Sequence, residues 1–201
     1  ASTVLFAADN WATTSRVLGA LRLHLGRELG LIDDEAFTFL WVYDFPMFER
    51  DEEDGRWTAV HHPFTRPTKE WEGRFAGDPQ HALAHAYDLI VNGNELGGGS
   101  FRIHEPEIQG KVFELLGMSV DEQRSKFGFL LDALAMGAPP MGGIALGIDR
   151  MTMVLAREPN LRDVIAFPKN QAGVDPMSGA PSEVTQEQLS ELGIRLLEPP
   201  T

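Results

Sequence analysis

The stretch that most constrains the fold is His85–His104, HAYDLIVNGNELGGGSFRIH. Asn92-Gly93 stands between two apolar runs. That pair is the strongest local signal for a two-residue hairpin turn, because both turn positions need positive φ. In that register Val91 faces Asn94, Ile90 faces Glu95 and Asp88 faces Gly97. Side chains directly opposed, or two apart on one strand, share a face. Asp88 and Glu95 therefore become diagonal neighbours on one face. Two carboxylates so close among apolar residues repel unless a cation lies between them. Mg²⁺ held by one or two carboxylates together with substrate phosphates matches that demand. A wet sheet face carrying two solvated carboxylates is the other reading of the same spacing.

Gly97-Gly98-Gly99 continues the strand pattern. Glycine weakens a strand unless something approaches its backbone closely or the strand bulges. A one-residue bulge there turns Arg102 and His104 onto the face of Asp88 and Glu95. A plain loop is the alternative. Arg102 on that face suits a carboxylate, through a two-pronged hydrogen bond; an ordinary ion-pair role fits the sequence equally well. Residues 57–66 read as a strand running into a loop, with His61-His62 before Pro63 at the end of the strand. Neighbouring histidines on a strand point to opposite faces, so one contacts a ligand and the other is structural.

The flanking sequence supplies helices as well as strands. Residues 10–30 read as a core-facing helix, with Leu18, Leu21, Leu25 and Leu29 at helical spacing and Gly30 as its stop. Residues 38–48 read as a strand ended by Pro46, residues 49–55 as a solvated acidic turn, and residues 67–80 as a polar loop with a short helix. Pro106 opens a helix that Gly117 closes. Ser119 to Glu122 forms a capping box for the next helix, which stops at Gly137. Residues 142–148 read as a buried strand, 149–157 as an apolar helix, and 164–167 as a short strand ended by Pro168. Thr185 caps a last short helix. The fold class is α+β, mainly antiparallel sheet flanked by helices.

Composition narrows the chemistry. With no cysteine, thiolate nucleophiles and Cys-ligated zinc are excluded. The formal net charge of −13 makes this chain a poor grip for a phosphate backbone by itself. No apolar run is long enough for a membrane span, and no export signal opens the chain. The absence of an initiator Met suggests a processed or excised piece.

Gly142-Gly-Ile-Ala-Leu-Gly147-Ile148-Asp149-Arg150 alternates small residues along one strand face. Such a face leaves room for a flat ligand, with Arg150 at the strand-to-helix junction able to stack on a base or meet phosphate. It is neither a Walker loop nor a dinucleotide fingerprint. Small-apolar alternation ending in Asp-Arg before an apolar helix resembles motif 3 of the class II aminoacyl-tRNA synthetases. LWVYDFPMF (40–48), VHHPFT (60–65), ELGGGSFRIH (95–104), KFGFLLDAL (126–134) and RDVIAFPK (162–169) are similar to the bacterial aspartate-type members, in the right order along nearly the whole chain.

The resemblance implies an enzyme of protein biosynthesis, a cytoplasmic ligase that activates L-aspartate with ATP to aspartyl-adenylate and transfers it to tRNA. It implies that Arg102 binds the aspartate side-chain carboxylate, that His61 and His62 lie in the aspartate pocket, and that Asp88 and Glu95 hold Mg²⁺-ATP. Gly147, Ile148, Asp149 and Arg150 would line the ATP site, with Arg102, Glu95 and Arg150 carrying the catalysis. Residues 1–33 look like the tail of the bacterial insertion domain, and 34–201 like the C-terminal part of the catalytic domain. Motifs 1 and 2 and the anticodon-binding domain have no counterpart. The segment Phe101-Arg102-Ile103-His104 has His where motif 2 has an acid. The resemblance therefore implies a piece inactive alone, drawn from an enzyme that is a homodimer when complete and holds tRNA mostly through other parts. Three alternatives remain: an asparagine- or lysine-type synthetase, a non-catalytic paralogue keeping the fold, and a metal-dependent hydrolase using His61, Asp88 and Glu95.

Overall fold

The computed structural model describes residues 3–197. The chain divides into two compact units between Thr38 and Phe39. In the first, helix α1 spans Trp11–Glu28. Asn10 caps it by accepting from the Thr13 N–H at 2.9 Å, and Gly30 closes it at φ 62°. The expectation of a core-facing helix is corrected: none of its residues is buried. A segment this short has no second layer to pack on, and fewer than about 40 residues rarely bury a core.

The second unit is built on a four-stranded antiparallel sheet in the order β1-β4-β5-β6. Its strands are β1 (Phe39–Pro46), β4 (Leu83–Val91), β5 (Asn94–Phe101) and β6 (Gly142–Leu146). The short strands β2 (Phe48–Arg50) and β3 (Trp57–Ala59) pair across the acidic turn. Helices α2 (Pro106–Leu115) and α3 (Val120–Ala135) follow β5, and α4 (Ile148–Ala156) follows β6. The expectation that β6 is buried is corrected: it is the last strand in the sheet order, and all five of its residues are exposed. A last helix, α5, spans Gln186–Glu191 behind a complete capping box at Thr185. Asn92 and Gly93 take φ 49° and 79°, as the hairpin turn requires. Pro106 stands in the first turn of α2. The Ser119 side chain accepts from the Glu122 N–H, but the Glu122 carboxylate takes Lys126 instead of closing the box.

The core lies at one end of the sheet, where Met47, Phe48, Ala82, Ala84, Ala86, Ile103 and Val112 pack with Trp71 and Phe75. Those last two, four residues apart, belong to the stretch read as a polar loop. Val-Ile-Ala-Phe at 164–167 does not form the expected strand. Val164 closes a 3₁₀ turn, Leu161–Val164, capped by Asn160, and among the described residues no strand pairs with the rest of the segment.

Candidate active site

The triple glycine is strand, and each member of it admits a neighbour. Ile90 pairs with Glu95, but Leu89 pairs with Gly97 and Asp88 with Gly98, so Leu96 is the extra residue of a bulge. The expected pairing of Asp88 with Gly97 is corrected by this one step, and the bulge stands before the glycines instead of within them. Its consequence is the one anticipated for Arg102. Gly98, Ser100 and Arg102 now follow Glu95 onto the Asp88 face. His104 is not brought there, for its ring contacts Arg66 and Glu105.

A Cβ on Gly97 would meet the Leu146 side chain at 2.7 Å, and one on Gly98 would meet Asp88 Oδ1 at 2.6 Å. At Gly99, on the opposite face, a Cβ would collide with the Gly143 carbonyl oxygen and lie 2.8 Å from the Tyr87 ring. Tyr87 lies across Gly99 and donates its hydroxyl to Gly143 O at 3.1 Å. Across β6, Ala145 pairs with Gly98 and Gly143 with Ser100. These small residues form a flat floor beside the two carboxylates.

Asp88 and Glu95 interact on this floor. Burial first, and the Glu95 charge second, raise the Asp88 carboxyl above the usual carboxylate range, with His61 opposing. Glu95 in turn meets Arg150 at 3.2 Å, and Arg150 Nη1 also donates to the Glu95 carbonyl at 3.0 Å. The pair is a hard-oxygen donor set of the kind that suits Mg²⁺ with phosphate oxygens. Among the described residues no group of three His, Asp or Glu side chains is placed to hold a metal. The hydrolase alternative, which needs His61 with both carboxylates, therefore has no preformed site.

Arg102 is held by three neighbours. Its backbone N–H donates to Met141 O at 2.8 Å. Its Nη1 donates to Ser100 Oγ at 2.6 Å and contacts His62 Nε2. The other ring nitrogen, Nδ1, accepts from the Phe64 N–H at 3.2 Å. The premise that the two histidines point to opposite faces fails because β3 ends at Ala59 and residues 60–61 are a bend. Both line the same cleft, with His61 edge-on to Phe45 at 4.9 Å between ring centres.

Burial, then the Arg102 guanidinium, then His61 push His62 below the ordinary histidine range. A protonated ring would set cation against cation. The folded chain therefore binds fewer protons than the unfolded chain just below about pH 6.5. This contribution leaves stability unchanged above that pH and lowers it as the pH falls through the window between the two values. We expect His62→Gln to flatten the acid-side fall of the urea midpoint between pH 7 and 5. A variant with the wild-type slope would contradict the assignment.

The cleft holds about 740 Å³ and is lined by His61, His62, Asp88, Glu95 and Arg102, and by the Gly147–Arg150 segment. Apart from His104, the residues singled out from the sequence as site candidates thus face one space. Gly147 N–H donates to Leu96 O at 2.8 Å, which ties the start of α4 to the bulge. Two contributors were missed. Ser100 lies two residues before Arg102, a spacing that signals a shared face. Gln109 donates to Pro63 O at 2.9 Å and anchors the histidine loop, with no local sequence signal.

Residues 11–171 match the family described as tRNA synthetases class II (D, K and N). The chain is 56% identical, over 95% of its length, to the aspartate–tRNA ligase of Enterococcus faecalis, of which it covers 32%. It is 54% identical, again over 95% of its length, to the aspartate–tRNA(Asp/Asn) ligase of Saccharopolyspora erythraea, of which it covers 33%. It thus spans about a third of the length of these relatives. Among solved structures it is similar to an Entamoeba histolytica aspartyl-tRNA synthetase, with TM-score 0.52 and 22% identity, covering 87% of this chain and 29% of that one. An asparaginyl-tRNA synthetase from Pyrococcus horikoshii gives TM-score 0.51 and 20% identity, covering 87% and 33%. At such identities these structures speak for the fold.

Proposed function

The chain belongs to the class II tRNA synthetases (D, K and N), and we propose that within this family it is part of an aspartate–tRNA ligase. The observation that carries this reading is Arg102, turned by the Leu96 bulge onto the same cleft as the Asp88–Glu95 pair. A guanidinium so placed suits the side-chain carboxylate of aspartate, whereas a neutral amide has no need of it. His61 and His62 complete that end of the cleft. Asp88 and Glu95 are the residues that would hold Mg²⁺, which when bound draws charge from the phosphates of ATP. Gly147, Ile148 and Asp149 line the nucleotide end, and Arg150 is released from Glu95 to meet base or phosphate.

In the proposed reaction the α-carboxylate of aspartate attacks the α-phosphorus of ATP, and pyrophosphate leaves. The aspartyl group then passes from the adenylate to tRNA, with release of AMP. This chain contributes orientation and charge, and no side-chain nucleophile is required. The α-phosphate cation, the tRNA grip and the dimer contact lie in the other two thirds of a protein of the relatives' length. The exposed apolar residues of β1, among them Phe39, Trp41 and Tyr43, support the view that more of the enzyme covers this sheet. Residues 1–33 are read as the end of the insertion domain and 34–201 as catalytic domain. The complete enzyme is read as a cytoplasmic homodimer. Among the described residues no helix is long and apolar enough to cross a membrane.

Grafted in place of the corresponding third of a full-length bacterial aspartate–tRNA ligase, this chain should sustain aspartate-dependent exchange of pyrophosphate into ATP. The chain alone should give none. A graft that responds to asparagine or lysine instead of aspartate would overturn the aspartate reading. A folded graft silent with all three would favour the non-catalytic paralogue.

A further inference from the structure

His61 and His62 stand in a loop that is tied at both ends. At one end the Val60 N–H donates to Met47 O at 3.2 Å. At the other the Ile103 N–H donates to Phe64 O at 2.9 Å, and Thr65 pairs with Arg102 in an isolated bridge. Inside the loop the Thr65 N–H closes a turn on His62 O at 3.1 Å. Pro63 has no N–H to give. Among the described residues, one donor from outside the loop reaches the backbone of residues 61–63. It is Gln109 Nε2, which donates to Pro63 O at 2.9 Å across 46 positions of sequence.

Gln109 belongs to α2, is 1% exposed and does not line the cleft. A buried amide is costly there. Its Nε2 is used, but its Oε1 is buried and, among the described residues, without a hydrogen-bond partner. The bond to Pro63 O fixes the amide orientation, because a flipped amide would set two oxygens against each other. A methionine of similar length would bury no unpaired acceptor. Packing of α2 therefore does not ask for glutamine at this position, whereas the carbonyl of Pro63 does.

We propose that Gln109 is a positioning residue for the carboxylate-binding end of the cleft, holding His62 against Arg102 and Ser100 through Pro63. His62 directly precedes Pro63, so a shift of that carbonyl carries the ring with it. The ring contacts Arg102 Nη1, and its Nε2 lies 3.4 Å from Ser100 Oγ. Released from Gln109, the ring moves toward solvent and Arg102 loses one of the groups that hold it. The role of this end in binding aspartate rests on the function proposed above; the placement of His62 by Gln109 does not.

The test compares the whole chain, Gln109→Met and Val112→Ala by NMR, following the His62 ring signals through a pH titration. His61 and Arg102 are the charged or titratable groups that act on this ring. In Gln109→Met the His62 midpoint should rise by about half a unit or more toward the ordinary histidine value, as the ring leaves Arg102 and gains water. The urea midpoint of that variant should equal or exceed the wild-type value. Val112, fully buried on the same helix, serves as the control. Val112→Ala should lower the urea midpoint and leave His62 unmoved. A folded Gln109→Met in which His62 titrates as in the wild type would overturn the proposal. So would an equal His62 shift in Val112→Ala, which would mark general loosening of α2. If Gln109→Met does not fold, the wild-type titration decides: the Gln109 side-chain amide signals should move with the His62 midpoint, and still signals would overturn the proposal. In calorimetry Gln109→Met should bind L-aspartate about tenfold more weakly than the wild type, and equal affinity would overturn the positioning role. If the wild-type chain does not bind aspartate, the aspartate reading falls, while the His62 comparison still decides on Gln109.

Discussion

Gly99→Ala is expected to cost about 3 kcal/mol of folding stability, near the upper end for forcing one extra methyl into a packed site. The added Cβ would collide with the Gly143 carbonyl oxygen and lie 2.9 Å from Ile144 Cα, both backbone atoms of β6. Backbone cannot turn aside as a side chain can, so β5 and β6 must separate or Tyr87 must leave the sheet. Gly98→Ala is the comparison. Its Cβ would meet Asp88 Oδ1, the mobile end of a side chain, so the carboxylate swings away and the stability cost is about 1 kcal/mol. Urea midpoints of the two variants should therefore differ clearly. Equal midpoints for Gly99→Ala and wild type would contradict the packing described for β5 and β6.

Arg102→Gln should remove the preference for aspartate over asparagine. A charged hydrogen-bonding partner taken from a carboxylate in a desolvated site costs about 2–5 kcal/mol, or roughly 30- to 300-fold in affinity over the lower half of that range. The glutamine side chain retains one donor but no charge and no planar fork. Asparagine, which never used the charge, should lose little. The fold should survive, because the backbone contact from Arg102 N–H to Met141 O does not depend on the side chain.

The sequence made the turns and caps legible because they are local chemistry. Asn92-Gly93, Pro106, Ser119 and Gly137 each state a backbone requirement within a few residues. The carboxylate pair followed from the hairpin, since Asp88 and Glu95 are fixed by counting from the turn. The bulge was harder to place. Three glycines mark where a strand tolerates irregularity, but Leu96 is expelled because Gly97 and Gly98 must receive Leu146 and Asp88, which come from other strands. The joint placement of His61 and His62 depends on β3 stopping at Ala59; the run Trp57–Arg66 reads as a strand passing into a loop, but nothing in it places that change before the two histidines. Trp71 and Phe75 stood in polar company, in a stretch read as a polar loop with a short helix; the stretch folds as a run of turns, and their burial is set by Phe48 and Ala84 from other segments. For α1, the leucine spacing gave the helix, but its burial needs a partner layer that this unit does not contain.

The most direct measurement is a side-by-side titration of this chain and its Arg102→Gln variant with L-aspartate and L-asparagine, followed on the Arg102 side-chain NMR signals and by calorimetry. The wild-type chain should bind aspartate at least tenfold more tightly than asparagine, the Arg102 guanidinium signals should move with aspartate alone, and the variant should lose the preference. Equal affinity for the two amino acids in the wild-type chain, or an aspartate preference that survives Arg102→Gln, would contradict the assignment of this cleft.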